Sequence, residues 1–157
     1  MWKRMLFIAL FGFASTVTGT AQQKGKFGLG VVVGEPTGLA WKYWLEGTNA
    51  LDGSIGFAPS DRFRLSVDYL WHAHPFSEKA LALHYGPGVT FGFGQSHYSS
   101  DYFGENGGGF GFRGVVGLTY LIKNTPLDVF FEAAPVIILA PSATSGVDLG
   151  LGLRAYP

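Results

Sequence analysis

The stretch FGFRGVVGLTYLI, residues 110–122, alternates between two kinds of side chain. One set is mostly apolar and bulky: Phe110, Phe112, Gly114, Val116, Leu118, Tyr120 and Ile122. The intervening set is smaller or more polar: Gly111, Arg113, Val115, Gly117, Thr119 and Leu121. Because successive side chains of a strand point to opposite faces, this pattern predicts one long β-strand whose two faces meet different environments.

Composition narrows the class of protein. The chain has 157 residues, a single-domain length, and only 14% of them are charged, whereas 16% are aromatic and 24 are glycine. Ordinary soluble domains carry about 25% charged residues, so this composition supplies a poor surface for water. The formal net charge is zero, which gives no indication of a nucleic-acid partner. The chain has no cysteine, which excludes disulfides.

The first residues have the composition of a leader. Lys3 and Arg4 precede an apolar run, and the small residues Gly19 and Ala21 follow it. This order predicts a signal peptide over residues 1–21 and a mature barrel domain over residues 22–157. A retained membrane anchor is the alternative, but the apolar run is short for a membrane-spanning helix.

Turn-forming residues divide the mature chain into eight predicted strands. These cover residues 26–33, 38–45, 51–58, 62–71, 81–93, 110–122, 127–139 and 147–156. Pro87 and Pro135 fall inside strands, where each removes a ladder hydrogen bond, so bulges or kinks are expected there. No helical periodicity of useful length and no second domain are found.

The difference in size between the two faces predicts which one lies inside. The interior of an eight-stranded barrel is only wide enough for side chains to fill, so the glycine-rich face fits there and the aromatic face points outward. The predicted fold is therefore all-β, an eight-stranded antiparallel up-and-down transmembrane β-barrel. Aromatic residues expected at the membrane interface are Trp41, Tyr43, Tyr69, Trp71 and Tyr120. A soluble lipocalin-like carrier is the alternative, but it needs a charged exterior.

Charged side chains of both signs fall on the predicted inner face. They are Lys42, Arg64, Asp68, Arg113, Asp128, Glu132, Asp148 and Arg154. Because an unpaired buried charge costs several kcal/mol, we expect these groups to pair and to close the lumen. A small conducting pore is the alternative, and it would require a gap in this network.

The longest connection, residues 94–109, is predicted to be external. An even number of strands places both termini on the periplasmic side, and outer-membrane barrels have long external loops and short periplasmic turns. Tyr98, Tyr102 and Phe103 lie in this connection and are candidates for a contact surface, or for contact with lipopolysaccharide.

Three segments carry a family resemblance: GEPTG (34–38), KYWL (42–45) and DYLWH (68–72). They resemble a family of small bacterial outer-membrane β-barrel proteins without an assigned reaction, whose architecture is similar to that of OmpA and OmpX. The resemblance implies an outer-membrane, eight-stranded barrel. From the apolar outer face and the external loops we expect lipid, lipopolysaccharide and possible extracellular proteins as partners. Such barrels commonly end in an outward aromatic residue, but the outward register here reaches Leu153, Ala155 and Pro157, so this chain departs from that ending and Tyr156 is the nearest substitute.

Two further patterns are candidates for a catalytic site and for a metal site. His97, Ser99 and Glu105 resemble the His-x-Ser motif and later carboxylate of outer-membrane lipid A deacylases, which gives a hydrolase as the alternative function. His72 and His74 offer two imidazoles without a third ligand, so we predict no metal and no cofactor. The sequence favours a non-enzymatic, monomeric barrel that is structural or binds partners through its external loops.

Overall fold

The computed structural model describes residues 25–59, 62–94 and 107–157. In this part of the chain there are eight β-strands and no helix. The strands are β1 (Phe27–Gly34), β2 (Thr37–Trp44), β3 (Asn49–Phe57), β4 (Phe63–Ala73), β5 (Leu81–Phe93), β6 (Gly109–Leu121), β7 (Leu127–Ala140) and β8 (Thr144–Ala155). The predicted leader lies outside the described residues, as do His97, Tyr98, Ser99, Tyr102, Phe103 and Glu105.

The strands form one closed antiparallel barrel. Each strand pairs with its neighbours in the chain, and β1 pairs with β8 from Leu29 opposite Ala155 to Gly34 opposite Gly150. This confirms the predicted all-β, eight-stranded, antiparallel up-and-down topology. The predicted strand bounds are close to those observed, and the largest difference is at β8, which begins at Thr144. Within the described ranges, no helix is long and apolar enough to cross a membrane.

The barrel has two ends, which we name by their connections. The terminal rim holds the start of β1, the end of β8, and the connections 45–48, 74–80 and 122–126. The distal rim holds the connections 35–36, 58–62, 94–108 and 141–143. The described ends of the longest connection, Gly94 and Gly107, therefore lie at the rim opposite the start of β1 and the end of β8.

The two faces of the barrel differ as the period-two pattern predicts. Outward side chains are large and apolar, and Val33, Ile137 and Phe57 keep 65%, 59% and 58% of their surface exposed. Inward side chains include charged groups, and Lys42 and Asp128 are completely buried. The apolar surface thus faces away from the barrel interior along every strand.

Of the bulges or kinks expected at Pro87 and Pro135, the described ladders show no bulge at either proline. Pro87 pairs with Gly114, and Pro135 pairs with Val147, without a change of register. Each of these strands also pairs with a second neighbour, β4 in the case of Pro87 and β6 in the case of Pro135. Two residue pairs are missing from each of these ladders, β4–β5 and β6–β7. The missing proline N–H therefore interrupts the ladder without adding a residue. The register shift lies instead at Phe110, on the β6–β7 side.

Candidate functional site

The charged lumen consists of two groups of side chains, which the alternation of each strand points inward. The terminal cluster lies toward the terminal rim and contains Lys42, Asp52, His72, Asp128, Arg154 and Tyr156. The distal cluster lies toward the distal rim and contains Arg64, Asp68, Arg113, Glu132 and Asp148. All eight lumen charges named from the sequence are in these clusters.

Arg154 is the centre of the terminal cluster. Its Nη1 lies 2.5 Å from Asp52 Oδ2, and its Nε donates to Asp128 Oδ1 at 3.1 Å. Lys42 Nζ lies 3.2 Å from Asp52 Oδ2, so one carboxylate holds two cations. The guanidinium also lies 3.9 Å from the centre of the Phe130 ring, a cation–π contact inside the barrel. Four strands are therefore joined through Arg154 and Asp52.

Tyr156 completes the terminal cluster, and it lies on the inner face, outside the predicted outward register of Leu153, Ala155 and Pro157. Its side chain is 1% exposed, and its hydroxyl donates to Asp128 Oδ2 at 2.6 Å. The ring lies against Gly28, where an added Cβ would come within 2.5 Å of a ring carbon. Tyr156 shares the inward direction of Arg154, so it fills the lumen at the terminal rim.

His72 extends the terminal cluster to the connection 45–48. Its Nδ1 lies 3.0 Å from the Thr48 carbonyl oxygen, and its Nε2 lies 3.0 Å from Lys42 Nζ. A neutral ring with the proton on Nδ1 donates to the carbonyl and accepts from the ammonium, which satisfies both contacts. The Trp44 ring packs on this imidazole, with ring centres 4.4 Å apart. Among the described residues, no group of three or more His, Asp or Glu side chains could hold a metal ion.

Arg113 is the centre of the distal cluster. Its Nε lies 3.1 Å from Asp68 Oδ1, its Nη2 3.2 Å from Glu132 Oε1 and its Nη1 3.5 Å from Asp148 Oδ2. The same Asp148 carboxylate receives both terminal nitrogens of Arg64, at 3.1 and 3.2 Å. This bidentate geometry is the strong form of an arginine–carboxylate pair.

Several lumen groups were absent from the predicted charge network. Asp52 is two residues from Ser54 on β3 and points inward like it, so strand alternation alone would have predicted Asp52 as a lumen residue. Glu35 Oε2 lies 3.6 Å from Arg64 Nη1, but it belongs to a connection, where alternation predicts nothing. His84 accepts or donates at 2.9 Å with Thr119 and lies 3.8 Å from Glu132, so it connects β5 with the distal cluster.

Apolar side chains fill part of the lumen between the charges. Leu70, Val115 and Ala134 form a buried cluster with exposures of 0%, 4% and 0%. Phe130 also points inward and is 2% exposed, which makes it an exception to the expectation that aromatics face outward. The lumen of the described barrel therefore contains packed side chains as well as ion pairs.

The aromatic residues predicted for the interface lie toward one rim of the outer face. Tyr43, Trp71 and Tyr120 are near the terminal ends of β2, β4 and β6. Tyr69 packs edge-on against Trp71, with ring centres 5.3 Å apart, and Trp41 lies farther into β2. The distal ends of β3, β4 and β5 carry phenylalanines instead: Phe57, Phe63 and Phe93.

No protein-family model, curated protein or solved structure matches this chain. Its class is therefore defined by the fold and the lumen alone. The protein is a closed eight-stranded antiparallel β-barrel with an apolar outer face and a charged, packed interior.

Proposed function

We propose that this protein is an integral outer-membrane β-barrel without enzymatic activity, which acts as a structural or surface-binding protein through its distal connections. The observation that carries the proposal is the distribution of side chains. Charged groups such as Lys42, Asp128 and Arg154 are buried inside, whereas leucine, valine and phenylalanine side chains cover the outside. This arrangement is the reverse of a water-soluble domain and suits a bilayer.

The free-energy cost of exposing this apolar surface to water supports a lipid environment for the outer face. Burying one large apolar side chain stabilises a protein by about 1.5–3 kcal/mol, which the outward residues forgo in water. They run along whole strands, as in Leu149, Leu151 and Leu153 of β8, which are 53%, 55% and 41% exposed. Soluble monomers rarely expose apolar patches larger than a few hundred Å². Hydrocarbon would cover this surface, and barrel closure would pair the strand edges within it.

The packed lumen supports a structural or binding role over a conducting pore. Arg113 binds three carboxylates, and Arg154 binds two. Breaking such a buried pair costs about 3–5 kcal/mol, so opening a path through both clusters is unfavourable. The hydrolase alternative stays a prediction, because His97, Ser99 and Glu105 lie outside the described residues.

The proposal is tested by fractionating cells that express the protein and running washed outer membranes on gels, both unboiled and boiled. A closed barrel resists detergent until it is heated, so we expect the protein in the membrane fraction with a heat-dependent shift in mobility. Recovery in the soluble periplasmic fraction without a shift would contradict the proposal and favour a soluble carrier.

Surface binding is separated from a purely structural role by a variant that lacks residues 95–106. We expect this variant to keep the heat-dependent shift and to lose attachment of cells to surfaces coated with protein or with lipopolysaccharide. Equal attachment with and without these residues would contradict the binding role and would favour a purely structural role.

A further inference from the structure

Arg62 is completely buried although it lies at the distal end of the barrel. It belongs to the β3–β4 connection, directly before β4, and its carbonyl oxygen accepts a 2.9 Å hydrogen bond from Ala58 N, which closes that connection. Two residues farther along, Arg64 points into the lumen, and Arg62 shares its direction. Arg62 therefore lies inside the distal mouth, above the distal cluster.

The guanidinium of Arg62 joins the two ends of the longest connection. Its Nη1 donates to the carbonyl oxygen of Gly94 at 2.7 Å and also to that of Gly107. Gly94 directly follows β5, and Gly107 precedes β6 by two positions. Both bonds therefore cross from the start of β4 to the base of the β5–β6 connection.

The two glycines have the backbone conformation that this arrangement needs. Gly94 and Gly107 have φ values of 85° and 88°, in the left-handed region that side chains disfavour. Nothing lies within 4 Å of an added Cβ at either position, so conformation and not packing space accounts for glycine there. With both residues in this conformation, their carbonyl oxygens converge on one guanidinium.

We propose that Arg62 is the positioning residue of the β5–β6 connection and sets where this connection leaves the barrel. The inference rests on the proposed function, in which the same connection carries surface recognition. Arginine suits the role because Nη1 carries two N–H donors in fixed directions in the guanidinium plane, one for each carbonyl oxygen, whereas the lysine ammonium is a rotating group on a flexible stem. Arg64 and Arg113 hold the distal cluster directly through Asp148.

The test uses a spin label, because the chain has no cysteine and one introduced thiol is unique. Ser100→Cys places a nitroxide in the β5–β6 connection, and Ser77→Cys places a control nitroxide in the connection 74–80 at the opposite rim. Each labelled chain is folded in detergent micelles with Arg62, Arg62→Lys or Arg62→Ala. The heat-dependent mobility shift verifies that each variant is folded.

We expect Arg62→Ala to shorten the rotational correlation time of the label at position 100 by a factor of about three or more, because the base of the connection is released. Arg62→Lys should give an intermediate value, and the label at position 77 should not change. Unchanged mobility at position 100 in folded Arg62→Ala would overturn the proposal. If that variant does not fold, Arg62→Gln takes its place with the same two outcomes. The readout is made in micelles, so failure of membrane insertion in cells would not affect it.

Discussion

At the scale of single residues, buried charges have the largest energetic consequences. Asp148 receives Arg64 and Arg113 from two different strands, and Asp52 receives Lys42 and Arg154. Each of these side chains is nearly inaccessible to solvent. Because an uncompensated buried charge is costly, removal of one member disturbs all of its partners.

Replacing Arg113 with methionine tests this coupling. Arg113→Met keeps much of the side-chain volume but leaves Asp68, Glu132 and Asp148 without this cation. We expect the free energy of unfolding to fall by about 3–5 kcal/mol, measured by urea unfolding of the folded barrel. Lys79→Met, at an exposed position on the connection 74–80, is the matched control and should unfold like the parent. Unaltered urea resistance of Arg113→Met would contradict the described network.

Replacing Tyr156 with phenylalanine separates a lumen residue from a lipid-facing one. In the lumen, Tyr156→Phe removes the hydroxyl that donates to Asp128 Oδ2, and the expected loss of stability is about 1–3 kcal/mol. On the lipid face, phenylalanine would be tolerated without loss. Urea unfolding of the parent protein and of Tyr156→Phe distinguishes a lumen position from a lipid-facing one. Equal unfolding midpoints would contradict the hydrogen bond to Asp128.

At the scale of elements, strand alternation predicted much of the structure. Parity along β6 placed Arg113 inside, and parity along β4 placed Arg64 and Asp68 inside, because a barrel wall has two faces and a period of two. The same parity placed Leu153 and Ala155 on the outer face and Tyr156 with Arg154 on the inner face, where it lies. Parity therefore also predicted the position of the last described aromatic side chain.

Features that depend on the neighbouring strand were not predictable from one strand alone. The register shift at Phe110 depends on the opposing residues of β7. The contact of Arg64 with Glu35 depends on how a connection folds over the distal mouth, and the contacts of Arg62 depend on two glycine conformations. Local pattern carries no information about these tertiary contacts.

A salt bridge between two connections gives a pH-dependent prediction. Lys123 Nζ donates to Glu78 Oε2 at 3.1 Å and joins the connections 122–126 and 74–80. The hydrogen bond from Lys123 lowers the pKa of Glu78, and the bond to Glu78 raises the pKa of Lys123. Because the Glu78 pKa is lowered on folding, its stabilising contribution is present above the ordinary glutamate pKa of about 4.3 and is lost as the pH falls through the folded value.

The measurement is an NMR titration of the Glu78 carboxyl in the folded barrel. Lys123→Met should move its midpoint upward, toward the ordinary value, whereas Lys79→Met should change it less. A midpoint that does not respond to Lys123→Met would show that the two connections are not joined in solution.

At the scale of the whole molecule, the central claim is the orientation of the barrel wall. An apolar exterior in a bilayer predicts that a new charge on the outer face costs most at the middle of the membrane and least near a rim. Leu149 lies outward in the middle of β8, is 53% exposed and pairs with Ala133 of β7. Ser145 lies on the same face near the distal rim.

Arginine at these two positions measures the cost of a charge at two depths in the bilayer. We expect Leu149→Arg to lower the free energy of unfolding from lipid vesicles by about 2–4 kcal/mol, and Ser145→Arg by about 0–1 kcal/mol, because the cost of a charge falls toward the membrane interface. If the outer face met water, both changes would be close to neutral. Urea titration of vesicle-embedded barrels provides the comparison.

The most direct measurement uses the three tryptophans of residues 22–157, of which Trp41 and Trp71 lie on the outer face and Trp44 packs on His72 inside. Variants of this segment that each keep one tryptophan, with phenylalanine at the other two positions, are folded into vesicles whose acyl chains carry bromine. We predict strong quenching of Trp41 and Trp71 and little quenching of Trp44, because bromine quenches only on contact. Quenching of Trp44 alone, or of none of the three, would contradict a lipid-facing outer wall.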